Sequence, residues 1–433
     1  MVIPVATADR AVWLRVGILI DGSGASPLRG AHVVYSNKEI LHAGEAQPPA
    51  DLWKHGRATG EPDADLPEFT LLPGLTDAHT HIFLEGGELD SAKRTLWLKT
   101  PSDELFARAR LRLEKILPFG VTSMRDCGDK HGVGLALSRL CSSSNRPLMP
   151  YIDSPGAAIN HKGRYGGFMA EPLEDFASAA DCVAARVKAG ADRIKIIPTE
   201  IVSFKHGAVT EPPQMTTEEI GAIVRAAKAH NRQTMAHASG DEGIERAINA
   251  RVDFVEKGGV DSIEHGFFMR DDQLAKLRDR NIAWVPTFVP IQKQVGHAER
   301  LGWDGEIVAN LRRILDGHAE SLVKAHAMGV QIIAGSDAGS LGVAHGRGLL
   351  EELVCMERAG LSSAAVIHAA AGAGAKRLAF KEKIGEIKVG SLSRFILTRH
   401  SPLETVANLQ KEKIVIFDGE VIESGETPDV SGL

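Results

Sequence analysis

Leu72-Pro73-Gly74-Leu75-Thr76-Asp77-Ala78-His79-Thr80-His81 carries apolar and small residues into two histidines spaced i, i+2. Side chains on a strand alternate between faces, so His79 and His81 point one way while Ala78 and Thr80 point the other. Two imidazoles aimed into one space at a strand end form half of a divalent-metal site. Two histidines on a solvated strand face would have the same spacing. The apolar lead-in and the adjacent Asp77 argue for a buried strand instead, and the other ligands must then come from elsewhere in the chain.

Downstream, strand-like apolar runs alternate with helical patterns. Residues 120–125 follow a helical segment at 103–117, and 147–152 form a third run. Residues 193–197 follow an Ala-rich helix near 173–189, and 233–237 follow the helix of 217–230. The runs 260–265, 282–286 and 330–334 complete the set. With the His79 strand this makes eight candidates separated by helices, the count of a (β/α)8 TIM barrel. A doubly wound open sheet is the alternative, but no Gly-x-Gly-x-x-Gly follows the first strand. Both ends of the chain are β-rich: Val12–Val16 and Ala31–Tyr35 at one, Arg394–Thr398 and Lys413–Phe417 at the other, with a polar segment over 48–67 read as an exposed loop. This texture predicts a small sheet domain built from both termini.

At 433 residues and a net charge of -6, the chain can bury a large core and has no basic run suited to nucleic acid. No run of about 18 apolar residues predicts a membrane span. Asp9 and Arg10 interrupt the N-terminal stretch, so a signal peptide is not expected. Cys127, Cys141, Cys182 and Cys355 lack metal or disulfide spacing and fit a reduced, cytoplasmic chain.

In a barrel the active site gathers at the C-terminal ends of the strands. Polar residues close or interrupt the apolar runs there: His79 and His81, Lys195, His237, His265 and Asp337. One such residue is an ordinary strand terminus, but five strands sharing the pattern points to a common mouth. Lys195 lies within Arg193-Ile194-Lys195-Ile196-Ile197. An uncompensated buried ammonium is costly, which favours the neutral amine. A neutral amine can add carbon dioxide to give a carbamate (N6-carboxylysine) that bridges two metals; pairing with a buried acid such as Glu264 is the equal alternative. One aspartate, one carbamate and one bridging hydroxide would offset three of the four charges of two divalent ions. The surplus suits an anionic tetrahedral intermediate, with Asp337 as general base and proton shuttle. No Gly-x-Ser-x-Gly elbow competes with this reading.

Taken together, Pro73 to His81, Ile194-Lys195, Ala236-His237-Ala238, Ser262-Ile263-Glu264-His265-Gly266 and Ala334-Gly335-Ser336-Asp337-Ala338 resemble the metal-dependent amidohydrolase superfamily over most of the chain. The similarity is greatest to its Xaa-Pro dipeptidase and imidazolonepropionase-related branch. The resemblance implies a barrel over 73–374 and a β-sandwich from 1–72 plus 375–433. It implies one metal on His79, His81, Lys195 and Asp337, and a second on Lys195, His237 and His265. Zinc is the expected ion, although manganese and cobalt accept the same ligands. Members of this branch cleave N-acyl amino acids, dipeptides ending in proline, ochratoxin-type amides, and phenylureas or carbamates. Imidazolonepropionases use one metal and lack the lysine, so Lys195 argues against that activity. The expected function is hydrolysis of an amide-type C–N bond by a metal-bridging hydroxide, on N-acyl amino acids or Xaa-Pro dipeptides, with phenylureas or carbamates second. A catalytically silent oligomeric scaffold is the alternative of another class. The expected partner is a small-molecule amide, dipeptide or urea, without nucleic acid or membrane, and a homo-oligomer is implied.

Three features depart from the relatives' pattern. The loop Asn160 to Gly167 is rearranged from Gly-Gly-His, the interval from His237 to His265 is long, and Gly390-Ser391-Leu392-Ser393-Arg394 replaces Gly-x-x-Ala-Asp. Substrate contacts are assigned to His161, Arg164 and Tyr165, Arg164 being suited to a carboxylate. Ser203 to His206, in the 201–213 loop, and an apolar wall of Phe83, Phe204, Trp284 and Phe288 are further candidates.

Overall fold

The computed structural model describes residues 3–52, 60–143, 146–250 and 259–424. Parts of three expected features lie outside these residues: 53–59 of the polar loop, 251–258 of the His237–His265 interval, and 425–433 of the C-terminal domain.

Sixteen strands are present among the described residues. At the N-terminus are β1 (Val12–Leu19), β2 (Leu28–Tyr35), β3 (Ile40–Gly44) and β4 (Ala64–Pro73). The middle of the chain supplies β5 (Leu75–Thr80), β6 (Val121–Asp126), β7 (Tyr151–Asp153), β8 (Ala158–Asn160) and β9 (Ala170–Pro172), followed by β10 (Ile194–Ile196), β11 (Thr234–Ala238), β12 (Ser262–His265) and β13 (Ala283–Val285). The C-terminus adds β14 (Arg394–Thr398), β15 (Lys413–Phe417) and β16 (Glu420–Ser424).

Strands from the two termini form one seven-stranded sheet in the order β16-β15-β14-β4-β1-β2-β3. Sheet neighbours lie about 4.8 Å apart, so β14 and β2, three places apart, would be roughly 14 Å from each other in a flat sheet. Yet the rings of Tyr35 and Phe395 meet edge-on at 5.0 Å, and the edge strand β3 exchanges backbone hydrogen bonds with 390–391, just before β14. The sheet is therefore curled around its own core, which includes Val12, Leu14, Val33, Leu71 and Leu397. The termini meet as expected, within one curled sheet; strand pairing does not divide it into two layers.

The middle of the chain is α/β with parallel pairing. Its ladders run β13-β12-β11-β10-β8-β9 and β5-β6-β7. The α/β character expected of the middle of the chain is present, while among the described residues the paired strands form these two ladders rather than one continuous eight-stranded ladder. The expected strand at 330–334 makes single bridges only, such as Trp284↔Ile332. Separate bonds tie this segment to its neighbours: Ile333 N–H to the Trp284 carbonyl, Ala78 N–H to the Ala334 carbonyl, and Asp337 N–H to the His79 carbonyl at 2.7 Å. The third expected strand, 147–152, is present as the short β7 at 151–153, and β8 follows after a gap. Asp192 N–H and Ile197 N–H reach the Ser154 and Ile159 carbonyls across that gap.

The helices follow local rules. Thr216 and Glu219 form a reciprocal capping box that starts helix Thr217–Ala229. Helix Ala179–Ala189 ends on Gly190 at φ 99, a left-handed cap that a Cβ would disfavour. Helix Gly372–Leu378 closes the helical part before the C-terminal strands. Among the described residues no helix is long and apolar enough to cross a membrane.

Candidate metal centre

The six residues singled out by sequence converge on one buried space. β5 delivers His79, and His81 follows directly after it; β10 carries Lys195, β11 His237, β12 His265, and the loop after 334 carries Asp337. The Oδ1 of Asp337 lies 3.7 Å from His79 Nε2 and 3.5 Å from His81 Nε2. The His265 ring sits 4.7 Å from that of His79 and 4.6 Å from that of His237, centroid to centroid. Lys195 is 1 % exposed, and its charge acts on all four histidines and on Asp337.

Five buried atoms of these six residues have no hydrogen-bond partner: His79 Nε2, His81 Nδ1, His237 Nε2, Lys195 Nζ and Asp337 Oδ1. Each such atom costs roughly 1–3 kcal/mol if left unpaired in a folded interior. Four nitrogens and one carboxylate oxygen, all buried and otherwise unsatisfied, suit divalent cations, and ligand atoms of His79, His81 and Asp337 lie within 4.8 Å of one another. Pairing of Lys195 with Glu264, the alternative considered for the lysine, does not occur. Both Glu264 oxygens accept from Arg125 Nη2 at 2.8 and 2.7 Å; Ser262 Oγ donates to Oε1 at 2.5 Å and His79 Nδ1 to Oε2 at 2.7 Å.

That last bond sets the chemistry of His79. With Nδ1–H donated to a carboxylate, the lone pair sits on Nε2, facing Asp337. His265 is oriented in the same way, its Nδ1 lying 2.7 Å from Thr287 Oγ1. Its carbonyl accepts from Trp284 Nε1 at 2.8 Å. Asp337 is held by Ser340 Oγ at 2.7 Å on Oδ2, which leaves Oδ1 for the centre. Asp77, the acid of the opening motif, is not a ligand: it accepts from Ser336 N–H at 2.8 Å and Ser336 Oγ at 2.5 Å, stapling β5 to the Asp337 loop. His265, Thr287 and Asp337 adopt positive φ, at 67, 55 and 54 degrees. A β-branched residue such as Thr287 rarely does so, and such strain gathers at functional sites.

Burial dominates the proton affinities. It holds His79 and His265 well below the usual histidine range and brings His81 and His237 to about 3; the Lys195 charge adds to it at all four. The imidazoles are thus neutral, the form that binds metal. Burial also pushes the Asp337 carboxyl up to about 7, opposed first by the Ser340 hydrogen bond.

A cavity of about 550 Å³ opens beside the centre, with His81, His237, His265 and Asp337 in its wall. Most of the remaining lining is apolar, including Trp97, Phe168, Phe204, Phe267, Ile291 and Trp303. Of the expected apolar wall only Phe204 is there. Phe83 packs near His131, and Trp284 and Phe288 pack on the buried His318. Among the three expected substrate contacts, Tyr165 lines the cavity, its ring 5.2 Å from that of His237. His161 instead contacts Glu174 at 2.8 Å and Glu219 at 3.4 Å, and Arg164 Nε donates to Glu200 at 2.8 Å. Neither lines the cavity. In the 201–213 loop, Ile201, Val202 and Phe204 reach it.

Arg125, Thr287, Ser340 and Arg94 were not singled out from sequence. Arg125 offered a signal, a basic residue inside the apolar run at 121–126, the same mark that exposed Lys195. Arg94 offered none, since helix Ser91–Trp97 has no apolar run leading into the site.

Comparisons with known proteins bear on the family and the fold. An uncharacterized protein of Mycobacterium tuberculosis is 27% identical over 331 residues, 74% of this chain and 78% of its own. Ochratoxinase of Aspergillus niger is 26% identical over 440 residues, 95% of this chain and 86% of its own. A Xaa-Pro dipeptidase structure with methionine bound in its active site superposes with a TM-score of 0.77 at 26% identity, covering 96% of this chain and all (100%) of that one. Phenylurea hydrolase B shares the fold at a TM-score of 0.75 and 15% identity, over 95% and 96% of the two chains. The amidohydrolase family model matches residues 70–422, from the strand before His79 to the last terminal strand, and the chain belongs to the amidohydrolase family.

Proposed function

We propose that this enzyme hydrolyses an amide-type C–N bond of a small molecule at a centre of two divalent ions, with N-acyl amino acids or Xaa-Pro dipeptides as substrates. The carrying observation is the set of five buried, unpartnered atoms on His79, His81, His237, Lys195 and Asp337. His79, His81, Lys195 and Asp337 would hold one ion, and Lys195, His237 and His265 the other. Addition of carbon dioxide to the Lys195 amine, with loss of one proton, would give the bridging carboxylate as N6-carboxylysine. Zinc is the ion we expect. When bound, the ions supply Lewis acidity and an activated water.

The chain's own groups do the rest. Glu264 and Thr287 keep the His79 and His265 rings oriented. The Oδ1 of Asp337 takes the proton of the attacking water and returns it to the leaving nitrogen, so the base regenerates each turnover. The apolar cavity excludes water from the acyl or side-chain portion of the substrate, and Tyr165 lines its wall beside His237. The same apolar lining supports a second reading, an aryl urea or carbamate substrate. The four cysteines, free of disulfides, fit a cytoplasmic site of action.

A screen of purified, metal-analysed protein against Xaa-Pro dipeptides, N-acyl amino acids and aryl ureas tests this. Asp337→Asn should abolish turnover while the fold persists, with metal content measured separately because Asp337 is also a proposed ligand. Activity in that variant removes Asp337 as the base, and a wild-type protein without metal or turnover supports the silent-scaffold alternative.

A further inference from the structure

Arg94 is the only lysine or arginine among the described residues that line the cavity. Its guanidinium is half-buried, yet Nη1 donates to the Glu85 carbonyl at 3.1 Å and Nη2 to the Gly339 carbonyl at 2.8 Å. Both partners are neutral. The other half-buried or buried arginines nearby are matched by carboxylates: Arg125 by Glu264, Arg164 by Glu200, Arg193 by Asp153. Of the five N–H donors of the fork, two are spent on carbonyls and three remain.

The two carbonyls fix where the charge sits. Gly339 belongs to the loop that presents Asp337 and Ser340, so the guanidinium is tied to the element that carries the base. Burial lowers the proton affinity of Arg94, while the charges of Asp337 and Glu88 raise it, which places Asp337 within electrostatic reach of the guanidinium. Helix Ser91–Trp97, begun by Asp90 accepting from the N–H groups of Ala92 and Lys93, holds the stem of Arg94 from the other side. Among the described residues no carboxylate makes a direct contact with this fork, and a desolvated cation without such a contact is costly unless an anion completes it. A planar fork with free donors suits a carboxylate above other anions of similar charge.

The geometry points to Arg94 as the specificity-determining residue that binds a free carboxylate of the substrate next to the bond cleaved, with the apolar wall holding the rest. The substrate class is then an acylated amino acid or dipeptide with an unblocked carboxylate, and a neutral aryl urea is disfavoured. This deepens the proposed function and rests on it. It also moves carboxylate recognition from Arg164, whose charge Glu200 already meets, to Arg94.

The test uses a matched pair, N-acetyl-L-phenylalanine and its decarboxylated analogue N-acetylphenethylamine, with wild type, Arg94→Gln and Arg94→Lys. Arg94→Gln should lower kcat/KM for the acid by roughly 100-fold, the scale of a charge-assisted fork contact. The analogue should change by less than about threefold, and Arg94→Lys should recover part of the loss because it keeps charge without the fork. Equal losses on both compounds would identify Arg94 as a strut between the helix and the Asp337 loop and overturn the proposal, as would no loss on either. A binding arm keeps this separate from the hydrolysis reading: Kd values for the same two compounds, measured by calorimetry on metal-free protein. Tighter binding of the acid that disappears in Arg94→Gln supports the inference even if neither compound is cleaved. Equal Kd values for acid and analogue in wild type overturn it.

Discussion

Replacing Arg125 with methionine isolates the contribution of the buried network behind His79. In the native chain the guanidinium gives Nε to the Ala78 carbonyl at 2.5 Å, Nη1 to Ser262 Oγ at 3.1 Å, and Nη2 to both Glu264 oxygens. Methionine fills much of the same volume but leaves the Glu264 carboxylate buried with only Ser262 and His79 as donors. Breaking a buried pair on one side costs about 3–5 kcal/mol, because the remaining charge stays desolvated. At ~2.1 cal/mol/K per residue, 433 residues give an unfolding entropy of about 0.9 kcal/mol/K, so the melting temperature should fall by about 3–6 °C. Measurement on chelator-treated protein keeps metal linkage out of the comparison. Glu264→Gln alone should be destabilising for the mirror reason, a buried guanidinium without its anion. The double variant then removes both uncompensated charges and should be more stable than the two single losses predict, by about 2 kcal/mol. Strictly additive losses, or a loss below about 1 kcal/mol in Arg125→Met, would refute the account of Glu264 as an anion held by Arg125.

Lys195→Ala should reduce bound metal below two ions per chain, and mass analysis of the native protein should find an increment of one carbon dioxide on Lys195; an unchanged metal count in the variant speaks against the bridge. Gly335→Ala would place a methyl 2.6 Å from Val285 Cγ1 and 2.8 Å from the His79 backbone nitrogen, and should cost about 1–3 kcal/mol in urea unfolding with lowered metal affinity; wild-type values for both would mean the segment has room to shift. Glu352 accepts from the Phe288 and Val289 N–H groups at 2.9 Å, and burial pushes its carboxyl from 4.5 up to about 8. A folded-state value raised above the unfolded one gives stability that is complete below about pH 4.5 and lost as pH rises through about 8. Glu352→Gln should flatten that part of the stability profile, and an unchanged slope between pH 5 and 9 would reassign it to another group.

The residues brought together at the centre were legible because each interrupts an apolar run, and an imidazole, ammonium or carboxylate in such a run needs a reason. What the sequence does not encode locally is partnership. Glu264 on β12 could have met Lys195, two strands away on β10, or Arg125, on β6 in the other ladder, and only the packing of the two ladders decides for Arg125. The aromatic wall was misread for a related cause. Trp284 and Phe288 are close in sequence to Thr287, but their side chains turn into the core around His318 while Thr287, at positive φ, turns to the cavity. The last strand reads as one from its apolar run, yet Asp77 takes the backbone N–H of Ser336 with its carboxylate, so a side chain replaces part of the ladder. Pairing across the termini follows from β-rich texture at both ends, whereas the curl of that sheet depends on contacts such as Tyr35 with Phe395 that no local pattern announces.

The terminal sheet also sets a timetable for synthesis. β4 runs directly into β5, the strand that carries His79, and it pairs on one side with β1 and on the other with β14. Leu71 opposes Leu397, 326 residues further on (397 − 71). At roughly 5–20 residues per second the ribosome takes on the order of 16–65 s to supply that partner. Throughout this interval one side of β4, in the apolar stretch Phe69 to Leu72, is an open strand edge, the kind of surface that recruits foreign strands. The strand that carries His79 thus gains this anchor only once β14 has been made, and a nascent chain that stalls after β13 presents a ready aggregation template.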